Sequence, residues 1–189
     1  MPIPLKINLK IEYSLDNGCV NRQTVILIKK KTESTLHITL KLLAYLYFYK
    51  MNRKLIIEPK FRYRRFKPDL VAFRNPEIPH EMKPEIDIWI ECKKVKLSKL
   101  MKLARSLPST KIYWFHLNHY IKRKLKTKAF SDSTNVKLIG VTLNRMNQTF
   151  VERSLLSQHP IWRVQQTKNS QLQISILNSK IDVDFQAIN

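Results

Sequence analysis

Lys67-Pro68-Asp69-Leu70-Val71-Ala72-Phe73, followed after a proline-rich polar connection by Ile86-Asp87-Ile88-Trp89-Ile90-Glu91-Cys92-Lys93-Lys94, is the stretch on which the fold turns. Both ends are rich in β-branched and aromatic residues and bounded by prolines, which predicts a short strand at each. The second strand alternates. Ile86, Ile88, Ile90 and Cys92 take one face, with the character of packed core; Asp87, Trp89, Glu91 and Lys93 take the other. That second face sets an acid and a base side by side. A neighbouring strand that offers Asp69 brings a second carboxylate next to Glu91, and two carboxylates with a lysine can hold a divalent cation against a phosphate. Asp87 shares the face but sits about 13 Å back along the strand, too far for the same metal.

Upstream lies the cationic run Lys60-Phe61-Arg62-Tyr63-Arg64-Arg65-Phe66-Lys67. Basic residues interleaved with aromatics can contact phosphates and stack on exposed bases; equally, the rings can be core and the arginines solvated. Residues 54–58 predict a short strand, and residues 32–49 an amphipathic helix capped by Thr32 or Ser34, with Glu33 at the favourable end of its dipole. Leu36, Leu40, Leu43 and Tyr47 form its apolar ridge. Glu33, His37 and Lys41 recur every fourth residue as a polar stripe, either solvated or turned toward the site. Residues 3–13 and 20–30 alternate around Asp16-Asn17-Gly18, a hairpin signature.

Downstream, residues 97–107 predict a helix whose apolar face is flanked by Lys96, Lys99, Lys102 and Arg105 and which Pro108 ends. Residues 111–117 predict a strand apolar enough to be buried on both sides. A basic helix over 118–128, a strand over 135–143 and a polar connection follow. Strands over 162–167, 172–177 and 181–185 close the domain. His116 and His119 make an H-x-x-H without a third ligand, which favours a structural role over zinc. No repeat or low-complexity linker divides the chain, so residues 1–189 read as a single domain.

The totals agree with a globular α/β protein that meets a polyanion. The 189 residues carry 35 Lys+Arg against 14 Asp+Glu, a formal charge of +21. That excess points to nucleic acid ahead of a membrane surface or an acidic protein. Cys19 and Cys92 do not make a disulfide framework, which suits a reducing compartment. The start alternates where a signal peptide would be continuously apolar, and no run is long enough to span a bilayer, so a cytoplasmic location with no membrane partner is expected.

A helix, a strand, a strand with Asp, a strand with Glu-x-Lys, a helix and a strand: this order resembles the PD-(D/E)xK nuclease-like superfamily, through Pro68, Asp69, Glu91 and Lys93. Within it the chain is most similar to the YaeQ family. The opening hairpin, the helix with Glu33 and Leu42-Leu43-Ala44, Pro68-Asp69-Leu70, Trp89-Ile90-Glu91 and the closing strands all fit that layout. YaeQ-type sequences tend to carry glycine and glutamine after the Glu, where this chain has Cys92, Lys93 and Lys94. The resemblance implies a restriction-endonuclease-like αβββαβ core with a mixed sheet, plus an N-terminal hairpin and C-terminal antiparallel strands.

The resemblance also implies a chemistry, a Mg²⁺-dependent nuclease acting most naturally on DNA, with Mn²⁺ as a substitute. Asp69 and Glu91 would ligate the metal, together with the backbone carbonyl of Cys92. Lys93 would orient the attacking water or stabilise developing charge. A role as general base needs a lowered pKa, which two carboxylates oppose. Glu33 would add a more distant carboxylate. Lys60, Arg62, Arg64 and Arg65, with Lys94, Lys96 and Lys99, would grip the backbone. The alternative is a non-catalytic nucleic-acid-binding protein on the same fold. The sequence leaves DNA against RNA, the mode of cutting and a homodimer open.

Overall fold

The computed structural model describes residues 5–14, 20–49, 54–75, 85–125, 135–157, 160–168 and 171–188. In chain order the elements are β1 (Leu5–Ser14), β2 (Val20–Lys29), α1 (Thr35–Tyr49), β3 (Ile56–Ile57), β4 (Leu70–Phe73), β5 (Ile86–Glu91) and α2 (Leu97–Ser106). There follow β6 (Lys111–Leu117), α3 (Asn118–Leu125), β7 (Val136–Thr142), α4 (Arg145–Leu155), β8 (Ile161–Lys168), β9 (Gln171–Ile176) and β10 (Ser179–Ile188). The chain divides into two compact units, one of residues 1–39 with 141–186, the other of residues 40–140 with 187–189. Among the described residues no helix is long and apolar enough to cross a membrane.

The first unit orders its strands β2-β1-β8-β9-β10. β1 and β2 pair antiparallel, Leu5 opposite Lys29 and Ser14 opposite Val20, as their alternation predicts. The turn residues Asp16-Asn17-Gly18, and Cys19, lie outside the described residues. β8 joins β1 in parallel, and β9 and β10 follow as antiparallel neighbours. Ile7, Leu9, Ile11, Trp162, Val164, Leu172, Ile174, Ile181 and Val183 are buried, so each strand turns one side inward. On the other side Glu12 accepts from Arg163 at 2.9 Å and Arg22 at 3.2 Å, tying β1 to both neighbours.

The second unit orders its strands β7-β6-β5-β4-β3. β4 is antiparallel to β3 and β5, whereas β5 and β6 run parallel, joined by α2. A helix, three strands, a helix and a strand therefore follow one another as predicted. β3 is shorter than residues 54–58 suggested: Glu58 adopts φ 50° and Pro59, without an N–H, cannot extend a ladder. α1 is not amphipathic. Leu40 to Leu46 are all buried, Lys41 included, which is how a helix apolar on all sides must sit. Its Phe48 ring lies 4.6 Å from Tyr113 of β6. Ser34 is its cap, accepting from the His37 N–H at 3.2 Å.

α4 was not expected; residues 144–161 read as a polar connection. Asn144 caps it, its side chain accepting from the Asn147 N–H at 2.7 Å, and Val151 and Leu155 supply its buried side. The basic helix expected over 118–128 is described to Leu125, and residues 126–128 lie outside the described residues.

Candidate active site

The site follows from where β4 begins. Pro68 has no N–H to give to a ladder, so pairing starts at Asp69, whose N–H donates to the Ile90 carbonyl at 3.0 Å. The register sets Leu70 opposite Ile90, which puts Asp69 beside Glu91 on the same face. The backbone then fixes the aspartate: its Oδ2 accepts from the Cys92 N–H at 2.8 Å. Beyond β5 the Lys93 carbonyl accepts from the Trp114 indole at 3.0 Å, which fixes the chain where Lys93 leaves the sheet.

Three of the expected groups therefore converge. Lys93 Nζ stands 3.6 Å from Asp69 Oδ1 and 3.7 Å from Glu91 Oε2. The Glu91 side chain is fully buried while Lys93 is 43% exposed, so the ammonium is the solvent-facing member of the set. Glu91 Oε1 accepts from Lys99 Nζ of α2 at 2.6 Å and from the Trp89 indole N–H at 3.0 Å. Glu91 Oε2 is buried without a hydrogen-bond partner. Such an atom is costly unless it meets a cation, and Lys93 at 3.7 Å is beyond hydrogen-bonding reach.

Burial raises the Cys92 thiol well above its ordinary pKa, with the Asp69 charge adding to the rise. The thiol stays protonated, and what Cys92 contributes at the site is its backbone. The same thiol feels Lys41, whose ammonium is buried in α1 and paired with Glu58. Glu58 in turn donates its N–H to the Asp69 carbonyl at 2.8 Å, so a second ion pair abuts the aspartate.

Several roles were not foreseen. Trp89, on the site face of β5, is fully buried and serves as a hydrogen-bond donor to Glu91. Lys99 was assigned to the phosphate backbone, and its ammonium is turned onto Glu91. No spacing rule links a strand glutamate to a lysine one turn into the next helix. Lys41 did carry a signal: it is a lone cation inside Leu40-Lys41-Leu42-Leu43, where a partner is required. Glu33 lies in the first unit, its Oε1 2.6 Å from His37 Nδ1. His116 is a packed side chain, stacked 4.3 Å from Tyr120 and accepting the Leu117 N–H on Nδ1, while His119 is exposed.

Lys60, Arg62, Arg64, Arg65, Lys94 and Lys96 are exposed. At the start of α2 a cleft of about 510 Å³ is lined by Lys94, Lys96 and Lys124 with Tyr120. Among the described residues no group of three His, Cys, Asp or Glu side chains is placed to hold a metal. Two carboxylates nevertheless suit Mg²⁺, which keeps several waters and is commonly held by one or two carboxylates plus substrate phosphate. Glu91 Oε2, which accepts no hydrogen bond, and the nearby Oδ1 of Asp69 are the atoms that fit it.

The fold is shared with YaeQ proteins. The chain superposes on YaeQ from Xanthomonas axonopodis pv. citri with a TM-score of 0.71 at 13% identity, covering 96% of both chains. With YaeQ from Pseudomonas syringae the TM-score is 0.71 at 16% identity, over 98% of this chain and 96% of that one. No protein-family model matches the sequence, and no curated protein matches it either.

Proposed function

We propose that this chain is a Mg²⁺-dependent nuclease of the PD-(D/E)xK type, within the YaeQ family, that hydrolyses phosphodiester bonds in DNA. The observation that carries the reading is the convergence of Asp69 and Glu91 from adjacent strands on Lys93 Nζ, at 3.6 and 3.7 Å. Mg²⁺, when bound by those carboxylates and the Cys92 carbonyl, supplies charge neutralisation on the phosphate and activation of water. Lys93 is the exposed cation beside the scissile position, where it stabilises charge on the phosphoryl oxygens. Asp69 is held for its task by the Cys92 N–H, and Glu91 by Trp89 and Lys99. The net charge of +21 supports a polyanionic substrate.

The test incubates purified protein with supercoiled, linear, single-stranded and branched DNA, in Mg²⁺ or EDTA. Cleavage should require the metal and disappear in Asp69→Ala and Glu91→Ala. Cutting that survives Glu91→Ala would come from a contaminant and end the proposal. A second reading, binding without turnover, is favoured by one observation: Lys99 already neutralises Glu91 at 2.6 Å. It expects salt-sensitive binding that survives Asp69→Ala, with no substrate cut.

A further inference from the structure

Residues 63–66 make a two-residue hairpin. The Tyr63 N–H donates to the Phe66 carbonyl at 2.9 Å, and the Phe66 N–H donates back at 2.9 Å. Arg64 occupies the first turn position with φ 52°, a left-handed value that glycine or asparagine adopts freely and arginine does not. Turn geometry alone gives no reason for an arginine there, and strain of this kind gathers at functional positions. The Tyr63 hydroxyl donates to the Ser106 carbonyl at 3.2 Å, which fastens the hairpin to the end of α2. Between them lies a cleft of about 440 Å³ lined by Arg64, Arg65, Phe66, Lys102, Arg105 and Ser106.

Four of those six residues are cations and none is an acid. Among the described residues none of the four is in an ion pair. The rings beside them are already covered. Arg64 lies over Tyr63 at 5.6 Å; Arg65 and Lys99 lie over Phe66 at 5.4 and 5.6 Å. At the other end of α2, Lys94 and Arg123 lie over Tyr120 at 5.6 and 5.4 Å. Aromatic faces used in this way seat the cations and are not stacking platforms for bases. The exposed arginines and lysines are left to read phosphates.

Resting on the nucleic-acid reading above, we infer that the cleft between the Tyr63–Phe66 hairpin and α2 is a phosphate site that grips a polynucleotide backbone by charge, without stacking on its bases. A nucleic acid fits better than an anionic membrane, because the one large apolar side chain in the cleft, Phe66, is half-buried beneath two cations. Recognition of this kind is indifferent to sequence and strongly dependent on salt.

The experiment uses the full chain in EDTA, so that binding is read without turnover. Fluorescence anisotropy measures affinity for a labelled single strand, its duplex, and a strand of the same length in which every base is replaced by an abasic analogue; a competition arm adds phosphatidylserine vesicles. Arg64→Gly removes one cation and relieves the strained φ, so the fold is preserved; Lys102→Gln with Arg105→Gln removes two more. The abasic strand should bind within about twofold of the natural one, and each lost cation should flatten the duplex salt slope by roughly 0.9. An abasic strand bound about tenfold more weakly, an unchanged slope in the folded triple variant, or preferential capture by vesicles would each overturn the inference. Binding that behaves as expected in a protein that cuts nothing retains this site and removes the nuclease proposal.

Discussion

Glu91 is the most constrained ionisable residue of the site. Its side chain is fully buried; one oxygen is held by Lys99 and Trp89, and the other faces Lys93 at 3.7 Å. Removing one member of a buried pair leaves an uncompensated charge, so Lys99→Met should destabilise the fold by about 3 kcal/mol in urea titrations. Glu91→Gln combined with Lys99→Met should recover most of that loss, since no charge is then stranded. Equal destabilisation by the double and single variants would mean Lys99 acts by packing alone. Cys92 gives a second check. Burial holds its thiol in the neutral form, so iodoacetamide at pH 8 should leave Cys92 unlabelled in peptide maps of native protein and label it in guanidinium.

Among the elements, the β9–β10 hairpin carries an avoidable strain. Leu177 sits in its tight turn with φ 53° and is almost fully exposed, so neither its backbone nor its side chain is well used. Leu177→Asn should stabilise the protein by about 1 kcal/mol, raising Tm by about 2–4 °C. An unchanged or lower Tm would mean that the leucine packs on something. In the sheet of the first unit, Glu12 bridges β1 to β8 and β2, and hydrogen bonds from Arg163, then Arg22, lower its pKa below the ordinary carboxylate range. A carboxyl with a lowered folded pKa contributes stability above its unfolded pKa, and loses it as pH falls through the folded value. Glu12→Gln should therefore reduce stability near pH 6 and leave it unaltered near pH 2, flattening the acid limb of a pH–stability profile.

The whole molecule is set against itself by charge. With +21 on 189 residues, like charges repel across the surface, and added salt screens them over about 10 Å or less. The thermal unfolding midpoint should rise between 50 and 500 mM NaCl, and a fall would mean that exposed ion pairs outweigh the repulsion. Much of this organisation was legible beforehand. The alternation of β1, β2 and β5, the Pro68-Asp69 start of β4 and the Glu91-x-Lys93 pair are local patterns, because period and proline chemistry act within a few residues. α4 was half-legible: Asn144 is a good cap, but Val151 and Leu155 make too narrow an apolar face to outvote its polar surroundings. That α1 is buried on every side, Lys41 included, depended on what packs round it. Composition and order by themselves determined a basic α/β chain with two acids and a lysine on adjacent strands. Only the tertiary structure decided that Lys99 and Trp89 hold Glu91, that Glu58 neutralises Lys41, and that the rings of Tyr63 and Phe66 seat cations. Those pairings join residues far apart in the chain, and contact energy depends on distance in space, which no sequence interval encodes.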